Sequence, residues 1–151
     1  MNFQMDLFWV TKAGADPVAY FEKYPGRFKL WHVKDAMQAG PVIVSSGRKN
    51  VTTNEEVFFW SKISEIHPRT AAGYTKDGKY IFMVVDGRQP DSRGVDLNEL
   101  SILMYDLDCE EAINLDGGGS SAIVVNGKLL NNPVGFNIQR EVMSAIAVFA
   151  E

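Results

Sequence analysis

Residues 114–121 read Asn-Leu-Asp-Gly-Gly-Gly-Ser-Ser, and this stretch decides the fold expected for the rest of the chain. Apolar residues lie on both sides, at 112–113 and 122–125, so a strand ends at the carboxylate and the chain resumes after the hydroxyls. Glycine permits positive φ and close backbone approach, and successive N–H groups in such a turn can form an anion-binding nest. A purely structural loop is the alternative, because Asp-Gly is a common turn pair.

The bulk composition predicts one ordinary globular domain over residues 1–151. Of the 151 residues, 46% are hydrophobic and 23% are charged, which is enough to bury a sizeable core. The net charge of −4 argues against a nonspecific nucleic-acid binder. No apolar run approaches the roughly 20 residues of a membrane span, and no signal peptide is visible at the N-terminus. We therefore expect no nucleic-acid partner, no membrane span and a cytoplasmic location.

The sharpest local patterns lie after residue 66. Asp77-Gly78 and Asn126-Gly127 each separate two apolar runs, which predicts one hairpin joining 70–75 to 79–85 and another joining 122–125 to 128–130. The run 80–85 is apolar throughout, so we expect a central strand that is covered on both faces. Asp96 and Glu99 form a capping box that opens a helix with an apolar stripe at Leu97, Leu100, Leu103, Met104 and Leu107.

Weaker patterns complete the expected order of elements. Pro17 at the first helical position and Asp16 as its cap predict a short helix over 17–24. Further strands are expected at 3–10, 28–33, 42–45, 57–60, 112–115 and 142–149. Many strands with one clear helix inserted late predict an α+β fold, with a mixed, largely antiparallel β-sheet and one main helix packed on it.

Four polar segments are expected to meet at one edge of this sheet, namely 68–71, 86–88, 114–121 and Arg140. If the strands before Asp86 and Asp116 are parallel neighbours, the helix between them makes the crossover and both carboxylates lie at the same edge. Two carboxylates can divide acid, base or nucleophile roles in glycoside hydrolysis. Arginine binds phosphate through its planar fork. The pattern indicates a site for a sugar attached to phosphate.

Each of these side chains also has a structural interpretation. Arg69, Arg88 and Arg140 could be surface residues or salt-bridge partners, and Asp86 could be a turn residue. A nucleotide-binding P-loop is excluded, because no Gly-Lys-Ser/Thr follows the glycines.

Metal, cofactor and thiol chemistry find little support in the sequence. His32 and His67 lack ligand spacing, so we expect no histidine metal site. Asp86 and Asp116 could hold a hard divalent cation through their carboxylate oxygens, but no cofactor is predicted. Cys109 follows the predicted helix and is expected to be a small buried residue, not a nucleophile.

Several ordered motifs together resemble the phosphodiester glycosidase family, which is named for the enzyme that uncovers mannose 6-phosphate by removing N-acetylglucosamine. The resemblance is strongest over residues 37–148, and members usually carry an earlier aromatic segment with Asn-Gly that has no counterpart before Met37. The chain is therefore similar to a minimal or phage-encoded member of the family. The expected location is then either the cytoplasm or a phage particle. The matching segments are 39–44, 68–73, 85–88, 97–100, 114–121, Asn126-Gly127 and Arg140 with its following strand.

The resemblance implies hydrolysis of a sugar 1-phosphodiester, such as N-acetylglucosamine-1-phosphodiester, at the anomeric carbon. Asp116 would be the principal carboxylate, acting as nucleophile or base, and Asp86 would be the second carboxylate or would position a hydroxyl. A non-catalytic module that binds a glycan or a sugar phosphate is the main alternative, and an intracellular nucleotide-sugar hydrolase or sponge is another. The expected substrate-binding residues are Arg69, Thr70, Arg88, Asn114, Gly117, Gly118, Gly119, Ser120, Ser121 and Arg140.

Overall fold

The computed structural model describes residues 3–6, 19, 23, 28–32, 39–56, 58, 61–135, 140–142 and 144–149. The chain divides into two compact units, one made of residues 1–38 with 143–151 and the other of residues 39–142. The expectation of a single domain over 1–151 stays a prediction. All the candidate site residues lie in the second unit.

The first unit contains two parallel strands. Strand β1 (Phe3–Asp6) pairs with β2 (Phe28–His32), and the register runs from Phe3 opposite Phe28 to Asp6 opposite His32. These strands confirm the predictions for 3–10 and 28–33 over the residues that are described. Ala19 and Lys23 are helical, as predicted, and the remainder of the expected helix over 17–24 lies outside the described residues.

The second unit is built on a five-stranded antiparallel sheet. Its strands are β3 (Ala39–Ser45), β4 (Arg48–Lys49), β5 (Arg69–Thr75), β6 (Tyr80–Val85) and β7 (Cys109–Leu115). They lie in the order β4-β3-β7-β5-β6, and every neighbouring pair is antiparallel. With the main helix on this sheet, the predicted α+β class is confirmed.

Helix α1 (Leu97–Asp106) covers one face of the sheet. Asp96 caps it, because the Asp96 carboxylate accepts from the Glu99 backbone N–H while the Glu99 carboxylate accepts from the Asp96 N–H. Leu97, Leu100 and Met104 are buried against Ile43, Ala71 and Ala112 of the sheet, with Cys109 in the same core as predicted. The predicted stripe was too wide, since Leu103 and Leu107 are 37% and 45% exposed.

Strand β6 is an edge strand, so the prediction of a central strand covered on both faces was wrong. Ile81, Met83 and Val85 pack against the core, whereas Tyr80 is 77% and Phe82 is 42% exposed. Side chains alternate between the two faces of a strand, and an apolar run gives no sign of which of its faces is covered.

Two other strand predictions are not met by the residues that the structure describes. In the expected strand 142–149, none of the described residues belongs to a strand, and Val148 and Phe149 are 75% and 88% exposed. Small and β-branched residues favour strands only where a partner strand and a packing surface are present. In the expected strand 57–60, Phe58 is not in a strand, and its three companions lie outside the described residues.

Both predicted hairpins are confirmed. The first joins β5 to β6 with Tyr74 opposite Tyr80. The second joins β8 (Val124–Val125) to β9 (Lys128–Leu129) across Asn126 and Gly127, both of which have positive φ. Positive φ at both central residues is typical of the two-residue turn that fits the twist of a hairpin.

Candidate functional site

The candidate site lies at the end of the sheet where β6 and β7 finish and β5 begins. Val85 pairs with Arg69, and Asn114 pairs with Ala71. Since β5 is antiparallel to both of its neighbours, β6 and β7 run parallel to each other with β5 between them. The two strands are therefore parallel, as expected, but are not neighbours. The loops that begin at Asp86 and Asp116 consequently leave the same end of the sheet.

The glycine turn folds back on the start of β5. The Gly118 N–H donates to the Pro68 carbonyl at 2.9 Å, and a Cβ added to Gly117 would lie 2.8 Å from the same oxygen. Gly118 has a φ of +61°, and the Ser120 and Ser121 N–H groups donate to the Gly117 and Gly118 carbonyls. The bond to the Pro68 carbonyl occupies the Gly118 N–H, so this group cannot make the predicted contact with an anion while the turn keeps this shape.

Arg69 is placed as an anchor inside the fold. The residue is 4% exposed, and its guanidinium donates to the carbonyls of Ile63, Glu65 and Val95 at 2.7, 2.7 and 3.1 Å. Burial lowers the pKa of the Arg69 guanidinium from its usual value, and the Asp96 carboxylate opposes that change. This geometry favours a role in fixing the loop before β5 and leaves phosphate contact to the other arginines.

Arg88 and Arg140 are exposed and lie against the glycine turn. A Cβ added to Gly118 would lie 3.5 Å from Arg88 Nη1, and one added to Gly119 would lie 3.4 Å from Arg140 Cδ. Arg140 also donates through Nε to the Ser120 hydroxyl at 3.0 Å and through Nη2 to the same oxygen. Two positively charged groups are thus placed on one short turn, in a chain whose net charge is −4.

Asp116 stands at the start of this turn with its carboxylate exposed to solvent. Its side chain is 42% exposed, and Oδ2 lies 3.7 Å from Nη2 of Arg140. An accessible carboxylate beside a guanidinium can approach a bound substrate without first breaking buried contacts. The loose ion pair leaves Arg140 able to contact an anion.

Asp86 is bound to a segment that sequence reasoning missed. Its Oδ1 accepts from Asn131 Nδ2 at 2.7 Å, and its Oδ2 accepts from the Asn132 backbone N–H at 2.9 Å. Asn131 Nδ2 also donates to the Ser121 carbonyl at 2.7 Å, and Asn131 Oδ1 accepts from the Ile123 N–H at 2.9 Å. Asp86 and Asn131 therefore tie the loop after β6 to the chain that follows the glycine turn. The only signal in the sequence was a pair of asparagines before Pro133.

Among the predicted substrate-binding residues, Asn114 and Ser121 are buried and Thr70 is half-buried. Asn114 is 4% exposed and donates through Nδ2 to the Gly40 carbonyl at 2.8 Å, which ties β7 to β3. Ser121 is fully buried. Within the described part of the chain, the buried oxygens Thr70 Oγ1, Asn114 Oδ1 and Ser121 Oγ have no hydrogen-bond partner. The predicted direct contact of these residues with substrate stays a prediction.

Residues 39–56 and 61–135, with the shorter described stretches, contain no cluster of three or more His, Cys, Asp or Glu side chains that could hold a metal ion. Among the same residues, no helix is long and apolar enough to cross a membrane.

The family is decided by a model of the phosphodiester glycosidase domain, which matches residues 4–149. This chain belongs to the phosphodiester glycosidase family. The match reaches back to residue 4, so the resemblance to this glycosidase family is not confined to the region after Met37. The family is hydrolytic, and a sugar-containing substrate fits it.

Two curated relatives match part of this chain. It is 36% identical over 121 residues to the SPbeta prophage-derived protein YomE of Bacillus subtilis, covering 80% of this chain and 16% of that protein. It is 40% identical over 81 residues to the N-acetylglucosamine-1-phosphodiester alpha-N-acetylglucosaminidase of Bos taurus, covering 54% of this chain and 15% of that enzyme. The chain thus spans about a sixth of the length of these relatives.

Solved structures agree with this assignment to the phosphodiester glycosidases. The catalytic domain of the zebrafish N-acetylglucosamine-1-phosphodiester alpha-N-acetylglucosaminidase is similar, with a TM-score of 0.51 and 34% identity over 61% of this chain and 33% of that one. A hypothetical protein from Synechocystis has a TM-score of 0.55 and 27% identity, covering 61% of this chain and 17% of that chain. The shared part therefore amounts to about a third of the zebrafish chain.

Proposed function

We propose that this protein hydrolyses a sugar 1-phosphodiester at the anomeric carbon. The observation that carries the proposal is the exposed Asp116 carboxylate at the head of a turn on which the Arg88 and Arg140 guanidinia lie. Membership of the phosphodiester glycosidase family supports the reaction class. The names of its relatives support N-acetylglucosamine 1-phosphodiesters as the first substrates to test.

The two exposed arginines have the chemistry to bind the phosphate group. A planar guanidinium donates two parallel hydrogen bonds to two phosphate oxygens. When the bond between the anomeric carbon and the phosphate oxygen breaks, its electron pair goes to the phosphate, and fixed positive charge stabilises that leaving group. Arg88 and Arg140 are assigned this role, and Gly117 and Gly119 keep the predicted backbone contacts at the same turn.

Asp116 is assigned to the sugar side of the bond. As the anomeric carbon becomes electron-poor, a nearby carboxylate either attacks it directly or removes a proton from the water that attacks. The phosphate departs as a monoester in both cases. After direct attack, water then cleaves the bond between the carboxylate and the anomeric carbon and restores the carboxylate, so that the water oxygen ends on the anomeric carbon by either route. Phosphate is a good leaving group, so the reaction needs less general-acid help than an ordinary glycoside.

Asp86 and Arg69 act on this site indirectly in the proposal. Both oxygens of Asp86 hold the segment at Asn131 and Asn132, and the Arg69 guanidinium holds the loop before β5. Asp86 is therefore proposed as a positioning residue, and its predicted role as a second catalytic carboxylate is the competing hypothesis.

The proposal is tested by comparing initial rates on two N-acetylglucosamine substrates. One carries a phosphodiester, and the other is an activated glycoside whose leaving group contains no phosphate. Arg88→Gln and Arg140→Gln should each lower kcat/KM for the phosphodiester by about tenfold, as expected for one lost charge-assisted contact, with little change on the neutral substrate. Arg48→Gln, on the exposed edge strand β4, removes the same charge away from the site and should change neither rate.

The alternative of a non-catalytic glycan or sugar-phosphate binding module makes a different prediction in this test. Such a module would bind the phosphodiester through the same arginines and release no sugar from either substrate. The prophage-derived relative is consistent with a phage-encoded protein, for which either outcome would suit a role at a bacterial surface. Release of free sugar by the wild-type protein contradicts the binding-module hypothesis.

A further inference from the structure

The His67 imidazole links the loop before β5 to Arg88, and its two hydrogen bonds define its tautomer. Nε2 lies 2.7 Å from the Lys62 carbonyl oxygen, and Nδ1 lies 3.0 Å from Arg88 Nη2. A carbonyl oxygen can only accept, so Nε2 carries the proton. A guanidinium can only donate, so Nδ1 offers its lone pair. The arrangement is that of a neutral imidazole that donates on one side and accepts on the other.

The backbone around His67 is held independently of its ring. The His67 N–H donates to the Val95 carbonyl at 3.2 Å, and the Val95 N–H donates to the His67 carbonyl at 3.0 Å. Arg69 fixes the same loop through its bonds to the Ile63 and Glu65 carbonyls. A change in the imidazole therefore leaves these bonds in place, and the effect of the ring on Arg88 can be tested separately from folding.

Within the part of the chain that the structure describes, His67 is the hydrogen-bond partner of the Arg88 guanidinium. Arg88 is exposed, it has a φ of +58°, and its guanidinium reaches across to the glycine turn, 3.5 Å from a Cβ added at Gly118. A long exposed side chain loses considerable rotamer freedom when an anion binds to it. An acceptor that holds the guanidinium before binding reduces that loss, since less ordering remains to be done.

We propose that His67 is a positioning residue that holds the Arg88 guanidinium on the Gly118–Gly119 turn, ready for a phosphate group. This rests on the proposed function only in taking Arg88 as a phosphate ligand. It assigns to His67 no contact with substrate and no metal ligation. The role depends on Nδ1 alone, whereas Nε2 serves the Lys62 carbonyl.

Two substitutions separate the two nitrogens of His67. Asparagine places an amide oxygen near the position of Nδ1 and keeps an acceptor for Arg88, but it loses the bond to Lys62. Glutamine places an amide N–H near the position of Nε2 and keeps the bond to Lys62, but it loses the acceptor. We expect His67→Gln to raise the Kd for inorganic phosphate by about tenfold, and His67→Asn to stay within about threefold of the wild type.

A double-mutant cycle with Arg88→Gln makes the test specific. If His67 acts through Arg88, His67→Gln should weaken phosphate binding no further once Arg88 has been replaced. Phosphate binding is measured by titration calorimetry, and thermal unfolding of each variant shows that it is folded. If the wild type releases no sugar but the phosphate affinities of the cycle are as expected, the proposed hydrolysis is wrong and the role of His67 stands. Three results would overturn the role of His67. They are equal effects of His67→Asn and His67→Gln on the Kd, additive losses of affinity in the cycle, and no phosphate binding by the wild type.

Discussion

Replacing Asp86 with asparagine tests whether this carboxylate holds the site together or takes part in the reaction. Its two oxygens accept hydrogen bonds from Asn131 Nδ2 at 2.7 Å and from the Asn132 N–H at 2.9 Å. Asparagine at position 86 has the same shape but only one oxygen. One of the two donors must therefore face an amide NH2 group, which cannot accept.

The expected cost of Asp86→Asn is about 2 kcal/mol of unfolding free energy. A hydrogen bond to a charged group contributes about 1.5–3 kcal/mol, and a neutral one contributes about 1 kcal/mol. The substitution makes one bond neutral and removes the other, while water can reach part of the unpaired donor because Asp86 is only half-buried. With a urea slope of about 1–3 kcal/mol per M, the unfolding midpoint should fall by about 1 M.

Urea unfolding followed by circular dichroism measures this effect, and sugar release from the phosphodiester is assayed beside it. Asp106→Asn is the matched control, because Asp106 is an exposed residue at the end of α1 and should leave the midpoint unchanged. A positioning role predicts a less stable protein with reduced but measurable turnover. An unchanged midpoint with complete loss of turnover would refute this reasoning and make Asp86 a catalytic carboxylate.

Three further predictions concern the turn, the helix cap and the thiol. Gly117→Ala places a Cβ 2.8 Å from the Pro68 carbonyl oxygen and should cost about 1–3 kcal/mol, so an unchanged melting temperature would count against the observed close approach. The hydrogen bond from Arg93 holds the pKa of the Glu99 carboxyl below its usual value. The stability that the Glu99 carboxylate contributes is therefore present at neutral pH and is lost as the pH falls through that lowered pKa. The difference in melting temperature between the wild type and Glu99→Gln should shrink in acid. A difference that stays constant with pH would contradict this. Burial raises the pKa of the Cys109 thiol, so a thiol reagent should modify it slowly in the native protein and rapidly in urea, and equal rates would show that it is accessible.

Features set by local sequence were predictable. The Asp-Gly and Asn-Gly pairs fix the two hairpins because few residues adopt positive φ, and the box formed by Asp96 and Glu99 places the start of α1. We expected the loops at Asp86 and Asp116 to leave the same end of the sheet if their strands were parallel neighbours joined through the helix. They do leave the same end, but β5 lies between the two strands.

Features set by tertiary contacts were not predictable. Nothing local in β6 shows that it is an edge strand, and nothing in the sequence around Arg69 shows that its guanidinium is used by three carbonyls. Asn131 is about 45 residues from Asp86 in the sequence, so their hydrogen bond exists only once the loops have met. Residue types gave only a hypothesis for the chemistry at this end of the sheet, and the hydrogen-bond partners decide which side chains remain available for it.

Sugar release by the Asp116→Asn variant tests the central claim most directly. Wild-type protein and variant are incubated at equal concentration with an N-acetylglucosamine 1-phosphodiester, free sugar is quantified, and binding of the same compound is measured in parallel. The proposed hydrolysis predicts release by the wild type and none above the buffer blank by the variant, which should still fold and bind. Release at the wild-type rate by Asp116→Asn would contradict the assignment of this carboxylate as the group that acts at the anomeric carbon.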